Sequence, residues 1–148
     1  MSYIDKIGLE PIKELVEGAL GTYGTGTPSE VAEKVADVTY KMLEDKELVQ
    51  EHGNQTFVDC LIAAALLHDL FKPQGEEKED WTHIFQARHL LSDYALEVGV
   101  PEQVQNGIYE AIEAQLGNQT PVLKCRPLPG TPQEIFANAV WFVNTILV

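Results

Sequence analysis

The run Leu61-Ile62-Ala63-Ala64-Ala65-Leu66-Leu67-His68-Asp69-Leu70-Phe71-Lys72-Pro73 decides how this chain folds. With Phe57 and Val58 just upstream, its apolar residues cover nearly every side of a helix, the pattern of a central buried rod. The helix is predicted to begin near Thr56 and to be stopped by Pro73. Two ionisable groups, His68 and Asp69, stand at its tip. A buried charge without a partner is costly, and one divalent cation would satisfy both groups. Neighbouring helical residues point about 100° apart. The pair can therefore converge on a metal only at a helix end, or with the carboxylate bridging outward. An Asp just past its helix beside a core-satisfied His is the alternative.

Working outward, the flanking segments also read as helices. Leu9, Ile12, Leu15, Val16 and Ala19 recur at three and four and predict a helix over 4–20, left through Gly21-Thr22-Tyr23-Gly24-Thr25-Gly26. A second helix is predicted from an N-cap at Thr27, with Pro28 at the first position, Glu30 closing a capping box, and an end near Val49. After the central helix come a charged loop over 74–80, a fourth helix over 81–98, a turn at Gly99-Val100-Pro101 and a fifth helix over 102–116. A loop with four prolines then leads to a last helix from about Gln133. No stretch alternates as a strand should. The expectation is an all-α fold of about six helices in one compact domain, residues 1–148.

Composition limits the function. With 10 Lys plus Arg against 23 Asp plus Glu, the net charge is −13. Extended nucleic acid and anionic membranes both need a basic face, which this chain lacks. A small anion remains open, because a local cation reverses the field inside a cleft. The 2 cysteines, Cys60 and Cys125, form no CxxC pair, and Cys60 reads as a small core hydrophobe. No signal peptide or membrane span is legible, so a cytoplasmic protein is expected. The apolar end, Trp141-Phe142-Val143 and Ile146-Leu147-Val148, fits a last helix packed on its own core or a homodimer face.

The run Ala64-Ala65-Leu66-Leu67-His68-Asp69-Leu70-Phe71-Lys72 resembles the signature of the HD superfamily of metal-dependent phosphohydrolases. It shares the apolar lead-in, the His-Asp pair and a Lys three positions later. The run His83-Ile84-Phe85-Gln86-Ala87-Arg88-His89-Leu90-Leu91, then Gly99-Val100-Pro101, then Ala111-Ile112, is similar to the second half of the bacterial HD branch that hydrolyses diadenosine tetraphosphate. The resemblance implies a divalent metal, of the Mn, Fe, Co, Ni, Zn or Mg kind, held by His68, Asp69 and His83. The chain departs from the family pattern at three places. Thr27 stands where a first His is usual, Gln115 replaces a later His, and Asn138 replaces a final Asp, keeping an oxygen donor without its charge.

Other residues compete for places at the same site. His52 sits across a helix of about 14 residues from His68, roughly 20 Å away, so it reads as a loop residue. His83 and His89 are six apart and do not share a face, and His83, near its helix start, is favoured. Glu30, one turn into the second helix, is a substitute ligand or substrate contact, with the capping box as its competing role. Lys72 either meets terminal helix carbonyls or holds a phosphate as a point charge. Arg88 and Gln115 are further substrate contacts, while Lys124 and Arg126 read as a solvated loop. The implied chemistry is attack of a metal-activated water on phosphorus. Asp69 orients the water, and Lys72 offsets charge on the phosphoryl oxygens. Two functions follow: a phosphohydrolase acting on a nucleotide or small phosphate ester, or a catalytically degraded relative that binds a ligand or protein partner.

Overall fold

The computed structural model describes residues 2–45 and 55–70, together with Gln105, Asn106 and Ile108. The described residues are helical and contain no strand, so the fold is all-α. A 3-10 turn, Tyr3–Lys6, leads into α1 (Glu10–Tyr23), α2 (Glu30–Asp45) and α3 (Gln55–Leu67). The helices predicted after residue 70 lie outside the described residues, apart from helical positions at Gln105, Asn106 and Ile108.

The central rod is α3. From Val58 to Leu67 every residue is buried, including the small Ala63, Ala64 and Ala65. Small side chains let neighbouring helices approach closely, and α3 packs on both α2 and α1. The partners present matching stripes: Ile12, Leu15, Val16, Ala19 and Leu20 from α1, and Val35, Ala36 and Leu43 from α2. Ile108 is fully buried in the same core. Cys60 is buried there too, and its thiol is pushed up to about 12 by that burial and by the adjacent Asp59 charge. It therefore packs as a thiol.

Two predicted helix starts are corrected. The segment predicted as one helix over 4–20 is two elements, because Ile7, Gly8 and Leu9 leave the helical path. Leu9 at the N-cap of α1 has no side chain that can cap. Asp59, fully buried on α3, ties down the chain that enters α1, accepting from the Gly8 N–H at 3.1 Å and the Leu9 N–H at 2.8 Å. At its other end α1 runs through Gly21 to Tyr23, which packs against the core. Gly26 then takes a φ of 93°, a left-handed conformation that glycine adopts without steric cost. Its N–H, like that of Gly24, reaches the Leu20 carbonyl at 3.0 Å.

The second correction concerns α2. Its N-cap is Ser29, not Thr27: the Ser29 hydroxyl accepts from the Ala32 N–H at 3.0 Å, and the Ser29 carbonyl accepts from the Glu33 N–H at 3.0 Å. Glu30 is the first helical residue and closes no capping box. Glu33 instead reaches back to the N-terminal turn, accepting from the Ser2 hydroxyl and from the Tyr3 N–H at 3.1 Å. The Tyr3 hydroxyl donates to Asp37, and Lys6 lies over the Tyr40 ring at 5.3 Å. The turn is thereby fastened along α2. Among the described residues no helix is long and apolar enough to cross a membrane.

Candidate metal centre

The antiparallel course of α2 and α3 brings the start of one beside the end of the other. Helix α3 closes at Leu67, and His68, Asp69 and Leu70 form a turn in which the Leu70 N–H reaches the Leu67 carbonyl at 3.1 Å. The two ionisable residues therefore stand just past the helix.

His68 is buried, at 5% exposure, and its Nδ1 lies 2.7 Å from the Ala65 carbonyl. A carbonyl only accepts, so Nδ1 carries the proton and donates it to Ala65. Asp69 is half-buried. Its Oδ2 accepts from the Ser29 hydroxyl at 2.6 Å, within the short range of hydrogen bonds to an ionised acceptor. The two residues are thus each oriented by a hydrogen bond to a helix terminus, one on α3 and the other on α2.

A cleft of about 410 Å³ opens beside Asp69, within the roughly 300–1,000 Å³ range of small-molecule sites. Leu20, Leu66 and Leu70 supply apolar surface, Tyr23 an aromatic ring, and Thr25, Thr27 and Ser29 hydroxyls. The exit of α1 is close to the turn after α3: a Cβ on Gly24 would meet Leu70 Cδ1 at 2.8 Å and the Leu20 carbonyl oxygen at 3.1 Å.

The residues singled out in the sequence divide into two groups. His68, Asp69 and Thr27 come to one end of the bundle, Asp69 and Thr27 as parts of the cleft wall. Glu30 turns to solvent, with 85% of its side chain exposed and a 3.5 Å ion pair to Lys34, so Ser29 rather than Glu30 is the α2 residue that meets Asp69. Lys72, His83, Arg88, Gln115 and Asn138 lie outside the described residues, as do His52, His89, Lys124 and Arg126. Among the described residues no three His, Cys, Asp or Glu side chains are grouped as a ligand set. Sequence reasoning missed Ser29 and Asp59. An Asp inside the apolar run of α3 was the available signal for the second.

The family model for the HD domain matches residues 30–140, which is most of the chain. No curated protein and no solved structure matches the chain significantly.

Proposed function

The chain belongs to the HD domain family, and on that premise we propose that it is a metal-dependent phosphohydrolase acting on a nucleotide or other small phosphate ester. The observation that carries this reading is the His68 and Asp69 pair at the end of the buried α3, oriented by Ala65 and Ser29, with Asp69 bordering a ligand-sized cleft. HD domains typically bind divalent metals, and the pair suits one. Ligand imidazoles almost always donate their other ring N–H to a carbonyl or carboxylate, as His68 does to Ala65. Mixed nitrogen and oxygen donors suit Mn, Fe, Co, Ni or Zn better than Ca.

In this reading His68 Nε2 and the Asp69 carboxylate hold the cation, with His83 and Asn138 as the further donors. A bound divalent cation lowers the pKa of a water and offsets charge on a phosphoryl oxygen. The Asp69 carboxylate, held by Ser29, would orient a water bound beside the cation. Lys72 and Arg88 hold the phosphate, and Gln115 contacts the rest of the substrate. The cleft beside Asp69 takes the organic part of the ester: its leucines and Tyr23 cover apolar surface, and its hydroxyls meet polar edges.

The test is hydrolysis by metal-stripped protein supplied in turn with Mn, Co, Ni or Mg, over a panel of nucleotides and simple phosphate esters. Metal-dependent release of phosphate that vanishes in the His68→Ala, Asp69→Ala double variant is expected. Activity that survives both substitutions overturns the reading. A second reading, a domain that binds a phosphorylated ligand without turnover, is favoured by Thr27 in the cleft wall. It predicts ligand affinity with neither metal stoichiometry nor phosphate release.

A further inference from the structure

We propose that Ser29 is the positioning residue of the cation site, fixing the Asp69 carboxylate to the start of α2 through one hydroxyl. This role rests on the metal-dependent reading above. A serine hydroxyl has one proton to give and two lone pairs. Here it accepts from the Ala32 N–H at 3.0 Å and lies 2.6 Å from Asp69 Oδ2. The backbone N–H can only donate, so the hydroxyl proton is directed to Asp69. The chain of donation runs one way, from helix backbone to hydroxyl to carboxylate. It commits Asp69 Oδ2 to Ser29 and so would fix the orientation of the carboxylate that holds the cation.

The arrangement matters because Asp69 stands in a turn, past the last residue of α3. A turn residue lacks the rigid backing of a helix, and the Ser29 bond supplies it from α2, 40 residues away in the chain. Glu30, the next residue, points into solvent toward Lys34 and makes no such bond. Thr27 borders the cleft but is not the cap. The hydroxyl of Ser29 therefore does two jobs that separate under substitution.

The experiment titrates the full chain with Co²⁺ alone, by calorimetry and by the visible Co²⁺ absorption band, and records melting in parallel. Three proteins are compared: the unaltered chain, Ser29→Thr and Ser29→Gly. Glycine is a tolerated N-cap but gives no proton to Asp69. Ser29→Gly is expected to weaken Co²⁺ binding by about 10–100-fold. The absorption band shifts while melting stays nearly unchanged. Ser29→Thr, which keeps the hydroxyl, restores affinity and band together. Co²⁺ affinity in Ser29→Gly equal to that of the unaltered chain overturns the role of Ser29 and leaves the hydrolase reading standing. Failure of the unaltered chain to bind Co²⁺ overturns the hydrolase reading, and the role of Ser29 with it.

Discussion

Replacing Asp59 tests how the N-terminal third of the chain is held to the central helix. Asp59 is fully buried and accepts hydrogen bonds from the Gly8 N–H, the Leu9 N–H and Gln55 Nε2, the last at 2.7 Å. A hydrogen bond to a charged group contributes about 1.5–3 kcal/mol. Gly8 and Gln55 are exposed, so both donors regain water when the carboxylate is removed, and Leu9 does so in part. The sum is therefore discounted, to about 3 kcal/mol for Asp59→Ala, at the lower end of what breaking a buried charged contact costs. For a chain of this size that corresponds to a fall in Tm of about 6–12 °C. Asp59→Asn keeps the shape and one acceptor oxygen but turns an NH₂ toward a donor, so its loss is about half as large. Gln55→Ala removes one of the three donors and costs about 1 kcal/mol. Urea unfolding followed by circular dichroism reads all three, with the midpoint falling and the slope constant. A loss under about 1 kcal/mol for Asp59→Ala would refute the argument that this carboxylate anchors the chain entering α1 on the central helix.

Three further outcomes follow from the same packing. Gly24→Ala places a methyl 2.8 Å from Leu70 Cδ1 and lowers stability by about 1–2 kcal/mol in urea; adding Leu70→Ala relieves that contact, so the double variant loses less than the sum of the single ones. In a Cys125→Ser background, the Cys60 thiol, pushed up to about 12 by burial and the Asp59 charge, reacts with a disulfide reagent only as fast as the fold opens, and rapid labelling of the native protein contradicts its placement. Burial alone would raise the Asp37 carboxyl, but hydrogen bonds from Tyr3 and Lys41 and the Lys41 charge hold it below the usual carboxylate range. The folded value is thus below the unfolded one, so the stabilisation is complete above about pH 4 and is lost as pH falls through the folded value. The stability gap between the unaltered chain and Tyr3→Phe should therefore be full at neutral pH and close in acid, and a gap that widens in acid contradicts the assignment.

What was legible in the sequence was what repeats locally. The all-round apolar character of α3 and the stripe of α1 follow from periodicity, and the burial of Leu61, Ile62, Leu66 and Leu67 on the first and of Ile12, Leu15, Val16 and Ala19 on the second bears them out. The placing of His68 and Asp69 at the end of that helix was legible for the same reason. The element starts were not, because each is decided by a distant residue. The path through Ile7, Gly8 and Leu9 is set by Asp59, 50 and 51 residues further on. Thr27 and Ser29 are both good caps, and the choice falls on Ser29, whose hydroxyl also reaches Asp69. Periodicity carries no information about such long-range bonds. Likewise, Gly21 read as a helix exit, yet α1 continues because Tyr23 gains a place on the core.

The most direct measurement is an anomalous difference map from a crystal of the full chain soaked in Mn²⁺. The account predicts one strong peak about 2 Å from His68 Nε2 and from the Asp69 carboxylate, with Ser29 still bonded to the other carboxylate oxygen. A map with no peak there, and both side chains engaged only by protein groups, would contradict it.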